Sequence, residues 1–363
     1  MTESPLARYR YAIPEECVAK TPASPRDSAR LMVAHTKTGM VSFDVFRNVD
    51  RYLPRRSLLV LNDTKVLPAR ITLHKRTGGK VVVLFLFNEW KKGEKVIRGM
   101  VDRMVVLHEP LFLTKRKWFT PVLQDANIFT FNANFPLETF SAEAKNHGAT
   151  PIPPYLKATT LSERELRTRY QTIFAKDSGS VAAPTASLHF TKRVFEKLRN
   201  KDIKKAFVTL HVGLGTFAPI GAQNFATGKL HEEWFEVPAT STKTILKAKQ
   251  AGRPIVAVGT TALRTLESVA PTFVSYSYDR TYMARNVREG ISGTTNLFIY
   301  PPYEFKLVDA LITNFHVPES SLMCLVDAFL RYKKSPKDIM ELYALAKKEH
   351  MRFFSFGDAM LIL

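Results

Sequence analysis

The chain has 363 residues, 45% hydrophobic and 11% aromatic, which excludes a disordered polypeptide and leaves room for two domains or for one domain with a large insertion. Its 53 Lys and Arg outweigh 33 Asp and Glu, and the formal net charge of +20 favours a polyanionic partner, a nucleic acid first of all. No apolar run reaches the roughly 18–20 residues of a membrane span, the first residues lack the apolar stretch of a signal peptide, and Cys17 and Cys324 lie too far apart to suggest a disulfide framework, so a reducing cytoplasm is the expected compartment.

In chain order, the run Ser57-Leu58-Leu59-Val60-Leu61-Asn62-Asp63-Thr64 reads as a buried strand ending in a polar turn. From Ile71 to about Ile152 the texture is β-like, with segments at 80–87, 104–107 and 128–131 separated by turn signals such as Thr77-Gly78-Gly79 and Lys92-Gly93. That is the pattern of a small barrel or sandwich. After Pro154 strands alternate with helices. Strands are predicted at 207–212, 254–259 and 307–313, and helices from about Thr242 to Gly252, from Thr260-Thr261 as N-caps through Leu266, and from Glu319 to Leu330. Ser335-Pro336-Lys337-Asp338 offers an N-cap, a first-turn proline and an acid for the last long helix. The alternation favours a parallel or mixed sheet covered on both faces.

Ligands on such a sheet bind where strands end. Gly259-Thr260-Thr261-Ala262-Leu263-Arg264 sits at a strand-to-helix turn, where free N–H groups and Arg264 suit an anion. Gly213-x-Gly215-x-x-Ala218 formally fits a dinucleotide fingerprint, but Pro219 and Gly221 follow at once and no apolar helical stripe comes after, so that reading is rejected. The glycines are better explained by close approach of a ligand to the backbone. The small residues of Gly179–His189 would suit a flat pocket for a planar base. The histidines show no metal-ligand spacing, and no metal is expected.

Together these segments resemble the S-adenosylmethionine:tRNA ribosyltransferase-isomerase family of queuosine biosynthesis. The resemblance rests on Arg26–Val33 (RDSARLMV), Leu61–Arg70 (LNDTKVLPAR), Pro153-Pro154-Tyr155, Arg169–Thr172, Ser180–Phe190 (SVAAPTASLHF), Thr209–Phe217 (TLHVGLGTF), His231-Glu232-Glu233-Trp234, Phe298–Pro301, Leu311–His316 and Arg352–Met360, all in order. The chain departs from the family pattern at Arg56-Ser57, Leu166 and Gly228, and between about Asn88 and Asn146.

The resemblance implies an α/β main domain with a mixed sheet, formed by residues 1–70 and 153–363, and an inserted all-β barrel domain at 71–152. It implies a transferase that moves and isomerises the ribosyl group of S-adenosylmethionine onto 7-aminomethyl-7-deazaguanine at the tRNA wobble position. Epoxyqueuosine-tRNA forms, and adenine and methionine leave. S-adenosylmethionine is then the co-substrate, with no further cofactor; the tRNA anticodon region is the partner, and a monomer away from membranes is expected. Such chemistry calls for a base near the ribose and a proton donor for adenine. The polar residues nominated from the matched motifs are His211, Asp358, His316, His189 and Asp63, with acid and base roles left open. Arg264 is a candidate for the methionine carboxylate or a tRNA phosphate, with Thr260, Gly213 and Gly215 beside it; Tyr155, Tyr170, Phe217 and Phe298 are candidates to stack a base. A conventional S-adenosylmethionine methyltransferase would need a strand–Gly-loop–helix site, and a non-catalytic RNA binder is supported by charge alone.

Overall fold

Leu58–Asn62 is buried at every position, as a strand flanked by neighbours and covered on both faces must be. In the computed structural model, which describes residues 4–213, 215, 220–274 and 286–363, it lies inside a nine-stranded sheet. The strand order is Ile291–Leu297, Lys229–Val237, Lys204–Leu210, Leu58–Asn62, Ile255–Val258, Ala310–Asn314, Ala359–Ile362, Arg30–Ala34 and Val41–Val45. The run from Lys204–Leu210 to Ala310–Asn314 is parallel throughout. Antiparallel strands flank it on both sides, so the sheet is mixed.

Alternation along Leu58–Asn62 divides the core. Leu58 and Val60 face a large cluster with Leu263, Leu266, Ile245, Leu325 and Leu342, from the helices Thr260–Val274, Ala239–Gln250, Ser321–Tyr332 and Ile339–Lys348. Leu59 and Leu61 face a second cluster with Val194 and Leu198 of the helix Lys192–Asn200 and Phe46 of a 3₁₀ turn. Both faces are covered, as the sequence pattern predicted.

The strands Arg70–His74, Lys80–Phe85, Val96–Val101, Ile128–Ala133, Trp118–Asp125 and Leu111–Phe112 follow one another around a second, antiparallel sheet. The pairing of His74 with Phe112 closes them into a barrel, and Gly148–Ala149 joins alongside Arg70–His74. The barrel is filled by Phe85, Phe119, Phe131 and Phe140, with ring centroids 4.7–5.5 Å from that of Phe85.

Three local expectations are corrected. Met104–Leu107 is a loop and not a strand: Val105 packs into the barrel core, but no described strand pairs with the segment, and Met104 is 74% exposed. Thr260 and Thr261 are the first residues of their helix and not its caps. Asp338, not Ser335, caps the last long helix. Its carboxylate accepts from the Glu341 N–H (2.9 Å) and Glu341 accepts from the Asp338 N–H (2.8 Å), a reciprocal pair that a lone serine hydroxyl does not match.

Candidate active site

The parallel strands bring their C-terminal ends to one edge of the sheet, and the loops that follow enclose a cavity of about 610 Å³. Pockets of this kind, at the carboxyl ends of strands, are the usual ligand sites of α/β sheets and span roughly 300–1,000 Å³. Asn62 ties the strand ends together. Its amide donates to the Leu210 carbonyl and to Thr261 Oγ1 (3.0 Å each), and its oxygen accepts from the N–H groups of Thr64 (3.0 Å) and Leu210 (3.1 Å). Ser180 Oγ accepts from the Val212 N–H (3.0 Å) and donates to the Ala182 carbonyl (2.7 Å), fixing the small-residue loop Ala182–Ala186 along one wall. Gly259, with φ of +88°, turns the chain from strand to helix so that Thr260, Thr261 and Arg264 reach the opposite wall.

Of the proposed stacking residues, Tyr155, Tyr170 and Phe298 line the cavity; Phe217 lies outside the described residues. Tyr155 is held at both ends, its ring 4.8 Å from that of Phe354 and its hydroxyl 2.7 Å from Ser355 Oγ. Phe298 stands among Phe225 and Tyr300 at 5.1 and 4.8 Å. These rings are therefore packed and cavity-facing at once. Gly215 also lines the cavity, but Gly213 does not: a Cβ there would collide with Asn88, so its small size admits the barrel rather than a ligand.

The nominated proton-transfer residues separate sharply. His316 lines the cavity, with Nε2 2.8 Å from Thr313 Oγ1 and its backbone N–H donating to the Tyr343 hydroxyl (2.8 Å). Burial pushes its pKa down to about 3, so the ring is neutral at physiological pH. His211 is not on the cavity wall; it is stacked on Trp234 (5.1 Å), close against Gly179, with Nδ1 2.7 Å from Thr64 Oγ1. His189 is packed against Phe46 at 5.0 Å, and its Nε2 finds no partner among the described residues. Burial lowers both pKa values to about 4, with Asp177 and Asp358 respectively acting in the opposite direction. Asp63 accepts from Thr209 Oγ1 (2.7 Å), and burial raises its pKa.

Asp358 is committed to architecture. It is 1% exposed and accepts from the backbone N–H groups of Arg30 (3.0 Å) and Arg352 (2.8 Å) and from Arg352 Nη2 (3.0 Å). None of His211, His189, Asp63 and Asp358 is on the cavity wall. Of the five polar residues grouped by the sequence, the structure places His316 on the cavity wall and the other four off it.

Arg264 lines the cavity but is not a free cation. It is ion-paired with Glu233 through Nη1 and donates from Nε to the Leu297 carbonyl (3.1 Å). Glu233 went unnominated in the sequence, although a signal existed. Along the strand Lys229–Val237 the buried positions are Glu233, Phe235 and Val237, so period-two alternation places Glu233 on the inner face. Asn314 and Thr185, also missed, line the cavity joined by a 3.0 Å hydrogen bond. Among the described residues no group of three or more His, Cys, Asp or Glu is placed to hold a metal ion, and no helix is long and apolar enough to cross a membrane.

A family model described as a queuosine biosynthesis protein matches residues 6–362. S-adenosylmethionine:tRNA ribosyltransferase-isomerases from Thermotoga maritima and Thermosipho melanesiensis are each 41% identical, over 99% and 98% of this chain and 99% of theirs. The crystal structure of S-adenosylmethionine tRNA ribosyltransferase from Thermotoga maritima is similar with a TM-score of 0.52 and 30% identity, covering 98% of this chain and all of that one. The chain belongs to the queuosine-biosynthesis tRNA ribosyltransferase-isomerase family. In this ribosyltransferase-isomerase the separate sequence signatures meet at one place: Pro153–Tyr155, the 182–186 loop, His231, Glu233, Phe298 and Asn314–His316 all border the same cavity.

The next strand, Lys229–Val237, pairs antiparallel with Lys204–Leu210, so the two are not the parallel pair of a βαβ unit.

Proposed function

We propose that the cavity binds S-adenosylmethionine and that its ribosyl group is transferred and isomerised there onto 7-aminomethyl-7-deazaguanine at the tRNA wobble position. Adenine and methionine are released, and epoxyqueuosine-tRNA is the product. The observation that carries this reading is the convergence of the family's signature segments on one nucleoside-sized cavity at the carboxyl edge of the parallel strands. In it, Thr260, Gly215 and Arg264 are binding residues, and Tyr155, Tyr170 and Phe298 supply flat apolar walls for a base.

His316 is the proton-transfer residue of this proposal. The sulfonium acidifies the neighbouring ribose methylene, and a neutral imidazole beside it accepts that proton. Burial keeps the ring neutral and so able to accept that proton, and the imidazolium formed can pass it on to the departing adenine. One ring thus serves as base first and acid second. His316→Gln is expected to lower turnover by about 100-fold, the usual loss of general acid–base help, with binding of S-adenosylhomocysteine retained; unchanged turnover in a folded variant would remove His316 from the mechanism.

The deciding experiment is a single incubation of the protein with S-adenosylmethionine and a tRNA carrying the aminomethyl-deazaguanine base. Adenine and methionine should accumulate together. S-adenosylhomocysteine in their place would mean methyl transfer, and no product at all would leave a binding protein.

A further inference from the structure

The strongest unexplained feature of the cavity wall is its ion pair. Glu233 and Arg264 have side chains only 4% and 10% exposed, yet both border the cavity. Arg264 spends Nη1 on Glu233 Oε2 and Nε on the Leu297 carbonyl, while its buried Nη2 has no partner among the described residues. Glu233 Oε1 accepts from the Gly213 N–H at 3.0 Å. Each carboxylate oxygen has a second acceptor position, so Glu233 retains capacity for another donor. A buried donor left without a partner is destabilising, and a ligand atom is its natural complement.

Charge decides what kind of ligand. The pair is neutral as it stands. A bare carboxylate or a phosphate set on Nη2 would bury one uncompensated negative charge, which low-dielectric surroundings penalise heavily. A group carrying both signs does not: its carboxylate meets Arg264 Nη2, its ammonium meets Glu233, and the ensemble stays neutral.

We infer that Glu233 and Arg264 together form a zwitterion seat, which takes the α-amino acid end of the ribosyl donor and rejects lone anions. This rests on the reading of the cavity as the donor site. Glu233 thereby becomes a binding residue in its own right, and the two alternatives left open for Arg264, methionine carboxylate or tRNA phosphate, are resolved in favour of the first with its amino group as a requirement.

Calorimetric titration of the full-length protein tests this with three probes: S-adenosylhomocysteine, its des-amino analogue, and 5′-methylthioadenosine, which lacks the amino acid altogether. In the wild type, S-adenosylhomocysteine should bind at least ~10-fold more tightly than the des-amino compound, which should do no better than 5′-methylthioadenosine. Equal affinity for S-adenosylhomocysteine and its des-amino analogue would overturn the seat while leaving the donor site standing. Failure of S-adenosylhomocysteine and 5′-methylthioadenosine alike to bind would overturn the donor reading and the seat with it. Glu233→Gln should cross the preference, weakening S-adenosylhomocysteine and strengthening the des-amino analogue relative to wild type. Parallel loss of both, in a variant that melts like wild type, would reduce Glu233 to scaffolding.

Discussion

Asp358→Asn is expected to lower the unfolding free energy by roughly 3–5 kcal/mol, the loss typical of breaking a buried pair. The carboxylate is 1% exposed and holds the backbone N–H groups of Arg30 and Arg352 as well as the Arg352 guanidinium. An amide keeps the shape but gives up an acceptor and the charge, leaving a part-buried guanidinium without its counter-ion. The position also matters for topology. The next residues form Ala359–Ile362, which pairs with Arg30–Ala34 on one side and with Ala310–Asn314 on the other. A stability of about 5–15 kcal/mol is typical of domains, so the loss should show as a large fall in denaturation midpoint. Full wild-type stability combined with a collapse in turnover would return Asp358 to the chemistry.

Acid is the second large perturbation. His189, His211 and His316 have pKa values lowered to about 4, 4 and 3 by burial, against about 6.5 in an unfolded chain. The unfolded state therefore binds more protons between about pH 6.5 and 3–4, and stability falls as the pH falls through that window. The stabilisation is complete above pH 6.5. At pH 5 each fully buried histidine should cost about 2 kcal/mol, with His211, the least enclosed, contributing less. His189→Leu supplies the control. Nε2 has no partner to lose among the described residues, and the apolar side chain removes one titrating group, so the difference in stability between pH 7 and pH 5 should shrink by about 2 kcal/mol. Identical pH dependence in the two proteins would show that the imidazole is not held neutral by burial.

Asp358, His189 and His211 lie in segments that look alike in sequence to the one carrying His316, yet only His316 reaches the cavity wall. Histidine and aspartate within a family signature look catalytic when read alone, because their burial is set by strands remote in sequence. Asp358 meets Arg30 across 328 positions and His211 meets Thr64 across 147. What was legible was whatever depends on local periodicity. The unbroken apolar run at Leu58–Leu61 fixed a central strand, and the alternation in 128–131 fixed a barrel strand. Met104–Leu107 misled because an apolar run makes a strand only where another strand pairs with it, and here only Val105 packs into the barrel, from a loop. The last helix start misled because two overlapping runs each offer a cap with an acid three residues on, Ser335 with Asp338 and Asp338 with Glu341, and the reciprocal contact forms at the second. Glu233 was hidden for the opposite reason: as a charged residue beside Glu232 it looked like solvent-facing sequence, and only strand alternation counted back from Val237 reveals it as an inward residue.

The chain enters the barrel at Arg70 and leaves it at Ala149, and these two residues are direct cross-strand partners, as are Ile71 and Gly148. The doorway is thus about 4.5–5.5 Å wide. Whatever sequence fills the barrel, the ends handed back to the main sheet keep that separation. Beyond the doorway the insert touches the main domain where Leu84 clusters with Ala69 and Val181, where Asn88 meets Gly213, and where Arg167 donates to the Lys145 and Gly148 carbonyls. The stretch from Asn88 to Asn146 departs from the family pattern while the loops around the cavity keep it, and Asn88, lying against Gly213, is a point at which a change in the insert would reach those loops.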